Sequence, residues 1–132
     1  MLITISEKSK KAFEAAAIKL GQPTTLPDFS MLRPDLALWL TANYMLAIII
    51  EADKNGEIRD YNNHSTRKYW PWHYTKDGYE PGSGGGFSYR DYACDGGSTA
   101  VGSRLTLNSW GEAKNSANDY PDLWEIVKLT VK

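Results

Sequence analysis

The hydrophobic positions along this chain shift from a helical period to an alternating one and back again. Between Ser6 and Gly21, Phe13, Ala16, Ala17 and Leu20 recur on one helical face, while Lys8, Lys11 and Lys19 lie largely elsewhere. That spacing predicts a half-buried helix from about Glu7 to Leu20, with Ser6 as its cap, Gly21 as its stop and Pro23 just beyond. The linker GQPTTLPDFSML then predicts an ordered, extended crossing. Between Pro34 and Gly56 the run LALWLTANYMLAIIIEA is apolar on almost every side. Proline suits a first helical turn and glycine the position past a last one. A helix that is apolar all round belongs at the centre of its domain, so Pro34 to Asn55 is expected to be the most buried element.

From Tyr61 to Tyr92 the character changes, with nine of the sixteen aromatic residues gathered there beside PGSGGG and DG turn signals. KYWPWHYT and GFSYRDYA read as strands, because aromatic side chains suit a pleated surface. Alternation along the first sets Trp70, Trp72 and Tyr74 against Tyr69 and His73. The tryptophan face is expected to meet the central helix, leaving Tyr69 and His73 outward. Pro71 cannot donate to a ladder, which predicts an edge strand or a bulge. A third strand from about Gly102 to Leu107 would complete a meander.

Ser109 and Glu112 form a capping box, a hydroxyl for the helix start and a carboxylate three residues later. Ala113, Ala117, Tyr120, Trp124 and Val127 follow on one helical face. Pro121 interrupts it, which predicts a kink or two abutting helices. The expected fold class is α+β: a small antiparallel three-stranded meander packed against three to four helices, in a single domain over residues 1–132.

Composition narrows the function. A net charge of −1 provides no global field toward nucleic acid or anionic lipid. Cys94 is the only cysteine, so no intramolecular disulfide and no four-cysteine zinc site can form. The N-terminus lacks the charged-then-apolar order of a secretion signal. The apolar run from Leu36 to Ile50 is interrupted by Thr41 and Asn43 and is shorter than the roughly 20 residues of a membrane span. These features predict a soluble, cytoplasmic protein with no membrane partner.

No catalytic constellation emerges. Gly82 to Gly86 is followed by Phe87-Ser88-Tyr89, strand-like residues, where a nucleotide loop needs a helix and the Walker form a Lys-Ser or Lys-Thr, so it reads as a hairpin tip. His64 and His73, with Asp60, Asp77 and Cys94, show no metal-ligand spacing. A Cys94–His73 nucleophile pair would need adjacent strands, a depressed thiol pKa and an oxyanion site. The acids Glu51, Asp53, Asp119 and Asp122 fall at helix ends, where carboxylates are commonplace. No cofactor is expected.

The aromatic patch remains. Rings beside Arg59, Arg67, Lys68, Arg90 and Arg104 suit a stacking platform for single-stranded nucleic acid, yet Glu57, Asp60, Asp77, Glu80 and Asp91 cancel most of that potential. A small sheet also needs large rings for its core.

Several segments, taken together, resemble a family of small, functionally uncharacterised proteins of Bacteroidetes phages, prophages and related mobile elements. They are LPDFSML (Leu26 to Leu32), YMLAIIIEADKNG (Tyr44 to Gly56), YNN…RKYWPWHY, and TAVGSRL (Thr99 to Leu105) before a serine-capped helix ending in DLW. The resemblance spans nearly the whole chain, and VGSRL after an aromatic strand is its most specific part. Pro121 and the long GSGGG run depart from it. It implies a phage or mobile-element setting and no mechanism. The resulting expectation is a non-enzymatic protein that binds an unidentified protein partner, with Arg67, Tyr69, His73, Arg90 and Arg104 as the candidate binding surface. A single-stranded nucleic-acid module using the aromatic sheet face is the alternative, and an uncatalogued hydrolase a third reading.

Overall fold

A computed structural model describes residues 3–54, 68–75, 87–95, 105, 107 and 109–128. Their order is α1 (Glu7–Leu20), α2 (Pro34–Asp53), β1 (Lys68–Thr75), β2 (Phe87–Asp95), α3 (Trp110–Asp119) and α4 (Pro121–Lys128).

Helix α1 begins where Ser6 accepts the Ser9 amide on its hydroxyl, and ends where Gly21 enters the left-handed region at φ 68°. Its first turn has a second, distant partner. Asp122 accepts from the Ser6 amide and from the Ser9 hydroxyl, each at 2.9 Å. At the other end Lys19 donates to the Ala52 carbonyl at 2.8 Å, tying α1 to the last turn of α2. Phe13 packs on Tyr44 between the two helices, with ring centroids 5.7 Å apart.

Helix α2 starts with Pro34 at its first position and closes on Lys54, whose amide bonds the Ile50 and Glu51 carbonyls; the expected stop at Gly56 lies outside the described residues. Its polar interruptions are satisfied within the helix: Thr41 donates to Ala37 O and Asn43 to Trp39 O. Met45, Leu46, Ile49 and Ile50 are buried at the centre of the core with Phe13, Leu123, Trp124 and Ile126. The burial runs from Ala42 onward, whereas Leu36 and Trp39 nearer the start of α2 are exposed. At 20 residues and a mean hydropathy of 1.4, α2 is long and apolar enough to cross a membrane, a test that core helices also pass.

Pro121 does not kink a single helix but separates two. α3, capped by the Ser109 hydroxyl on the Glu112 amide at 3.2 Å, stops at Asp119, and α4 restarts at Pro121. Trp124 fastens the pair by donating its indole N–H to the Ser116 hydroxyl at 3.0 Å, both side chains being buried.

The expected fold class is corrected here. The described residues are predominantly helical and carry a two-stranded antiparallel ribbon, with no three-stranded meander among them. Of the segment expected as a third strand only Leu105 and Leu107 are among the described residues: Tyr69 and Leu107 exchange two backbone hydrogen bonds at 3.1 and 2.7 Å, and Leu105 lies in a 3₁₀ turn. Along a strand, residues two apart direct their backbone groups to the same edge. The next pairing on the Tyr69 edge therefore falls to Pro71, which has no N–H to give. Among the described residues the ladder has a single rung, and proline cannot donate to the next. Between β1 and β2 the register runs Trp72 to Asp91 and then His73 to Tyr89, so Arg90 is the extra residue of a bulge.

The orientation of β1 is the second correction. Tyr69 packs against the core cluster, Pro71 is fully buried, and His73 stacks toward Trp124 at 6.3 Å between centroids. Trp70 is buried as well but is not part of that cluster. The Tyr69–His73 face, expected outward, meets the helices.

Candidate functional site

Of the residues expected to form a binding surface, Tyr69 and His73 sit on the inner face of β1. Arg90 is placed in β2 at the bulge, while Arg67 and Arg104 lie outside the described residues. The structure therefore places Tyr69 and His73 at a joint between ribbon and helices, not on a shared exposed platform.

That joint is built around Trp124. The His73 ring lies to one side of the indole, and both of its nitrogens are shielded from solvent. Lys128, the last residue of α4, places its ammonium 5.4 Å from the Trp124 ring centroid and donates to the Pro71 carbonyl. Burial lowers the His73 pKa to about 3, with the Lys128 charge adding to the effect. Burial likewise lowers Lys128 to about 8. At neutral pH the imidazole is neutral and the ammonium is held by a carbonyl and a ring face.

The Cys94–His73 nucleophile pair is not formed. Cys94 is opposite Tyr69 and His73 opposite Tyr89, so the two are offset by four residues of strand, about 13 Å of rise.

A second feature is a cleft of about 320 Å³ where the end of α2 meets α3, lined by Asp53, Glu112, Asn115, Ser116, Asp119 and Tyr120. Burial raises the Asp53 pKa, Lys19 opposes it, and Glu112 and Asp119 add to the rise. Tyr120 is raised by burial, then by Asp53 and Asp119. Among the described residues no group of three His, Cys, Asp or Glu is placed to hold a metal ion.

The third feature is apolar. Met31 is 88% exposed and Trp39 43%, with Leu32 and Leu36 also open to solvent. Leu36 and Trp39 are one turn apart on α2, and Met31 and Leu32 lead into that helix through a turn closed by Leu32 N on Phe29 O. Trp39 is oriented by its indole N–H, which donates to Val127 O at 3.1 Å. Its rim holds the Arg33–Asp35 ion pair at 3.2 Å. Sequence reasoning missed this surface because a uniformly apolar helix gives no sign of which end lacks cover. The adjacent apolar Met31 and Leu32 in an otherwise polar linker were the available signal.

No family model matches the chain, and searches of curated proteins and of solved structures give no match either.

Proposed function

We propose that this is a small non-enzymatic protein that works by binding another protein, using the apolar surface of Met31, Leu32, Leu36 and Trp39. The observation that carries the reading is the exposure of these four large side chains in one neighbourhood, with Trp39 fixed by a hydrogen bond. Exposed apolar groups rimmed by a charged pair are the usual form of a protein contact, and an oriented tryptophan supplies a rigid anchor. The phage or mobile-element setting implied by VGSRL and its companion segments belongs to the same proposal, as does action in the bacterial cytoplasm.

The experiment compares wild type with the double variant Leu36→Ser, Trp39→Ser by affinity capture from a Bacteroidetes host, read by mass spectrometry. Partners retained by wild type and lost by the variant, with the variant's melting temperature within a few degrees, support the proposal. Identical partner sets reject it. A fluorescence titration with a short oligothymidine at low salt supplies the opposing arm: strong quenching that salt reverses would move the function to nucleic acid.

A further inference from the structure

Lys128 is unlike Lys8, Lys10 and Lys19. Lys8 and Lys10 pair with Asp119 and Glu7 at the surface, and Lys19 reaches a helix-end carbonyl. The Lys128 ammonium is half-buried at the joint of two elements, donates to a neutral strand carbonyl, and faces an indole held from behind by Ser116. Among the described residues it takes part in no ion pair. A desolvated amine without a counter-charge is the arrangement that makes lysine a nucleophile near neutral pH.

We propose that Lys128 is a covalent modification site, preferred over Lys11 and Lys114 as an acceptor for acyl groups from acyl phosphates, and that acylation unfastens the ribbon from α4. In the step, the neutral Nζ attacks the acyl carbon. A C–N bond forms, the C–O bond to phosphate breaks, and phosphate leaves with the electron pair. The surplus proton on nitrogen passes to water. The product is an uncharged amide too bulky for the slot between Pro71 O and Trp124, so the ammonium contact with the ring and the link to β1 are lost together. The lowered pKa of about 8 supports this, since about a quarter of the Lys128 amines are then unprotonated at pH 7.5, against about one in a thousand for a lysine in water.

The test exposes the folded protein to acetyl phosphate from pH 7 to pH 11 and follows each lysine by mass spectrometry. Lower basicity and partial cover offset much of the gain in neutral amine, which leaves Lys128 acetylated roughly tenfold faster than Lys11 or Lys114 at pH 7.5. Its rate should level off above about pH 9, whereas an amine in water is still gaining reactivity beyond pH 10. In urea the preference should vanish. Amide exchange in β1 should quicken in the acetylated protein and stay unchanged in a Lys128→Arg variant exposed to the same reagent. A Lys128 rate at or below those of Lys11 and Lys114, a pH profile parallel to theirs, or a preference that survives unfolding each overturns the proposal.

Discussion

Replacing His73 with phenylalanine should flatten the acid side of this protein's stability curve. In the unfolded chain an imidazole takes up its proton near pH 6.5, whereas in the fold both ring nitrogens are shut off from water and protonation waits until about pH 3. Below pH 6.5 the unfolded state therefore binds more protons than the native state. The stability contributed by this site is complete above that pH and falls as the medium is acidified toward 3. At pH 5 the medium is about 1.5 units below the unfolded pKa, which at 1.36 kcal/mol per unit makes the loss about 2 kcal/mol. Partial exposure of the residue screens some of this, leaving about 1–2 kcal/mol. Phenylalanine cannot titrate, so the wild-type-minus-variant difference in unfolding free energy should move by that amount between pH 7.5 and pH 5. Urea denaturation at both pH values measures it, and any constant packing difference between the two rings cancels in the subtraction. Equal pH dependence in the two proteins would refute the account of His73 as a neutral group at the joint.

Leu46→Ala or Ile49→Ala should each cost about 2–5 kcal/mol by urea denaturation, since both side chains are buried in the centre of the core. Trp124→Phe should cost about 1–3 kcal/mol, because it leaves the Ser116 hydroxyl buried without its donor. The double variant with Ser116→Ala should fall short of the sum of the single effects, as a double-mutant cycle would show. Gly21→Ala should lower stability by about 1–2 kcal/mol through its φ of 68° alone, since nothing lies within 4 Å of the added carbon. Gly21→Asn should recover part of that loss in the same thermal melt.

The parts of the fold that could be read from sequence are those governed by neighbours in the chain. Ser6 and Gly21 bracket α1 because a cap and a left-handed stop are satisfied within a few residues, and Ser109 and Pro121 set the limits of α3 in the same way. The face that β1 turns inward was not legible. Alternation separates Tyr69 and His73 from Trp70 and Trp72, but that Tyr69 and His73 are drawn inward depends on Trp124 and Leu107, which lie far along the chain. Ring size pointed to Trp70, which is buried, but gave no sign that Tyr69 and His73 also turn inward, to the core cluster and Trp124. The missing N–H of Pro71 was visible in the sequence, yet its consequence for the Leu107 edge appears only once the pairing partner is known. The apolar surface at Trp39 was hidden for the opposite reason: α2 carries the same hydrophobic signal along its whole length, and tertiary packing alone decides which half is covered.

The two bonds from Asp122 to Ser6 and Ser9 bear on how the protein is made. The carboxylate that holds the first turn of α1 is added by the ribosome 113 residues after Ser9 and 116 after Ser6. At the usual 5–20 residues per second that interval is about 6–23 s. A helix of 14 residues is marginal by itself; α1 has Phe13 and Lys19 contacts to α2 that need no Asp122, so what comes late is the fastening of its first turn. Damage at Asp122 is then felt at a turn far from it along the chain: Asp122→Ala should speed amide exchange at Ser9 while the centre of α2 stays protected. Equal exchange at Ser9 in both proteins would mean that the local Ser6 cap holds the turn unaided.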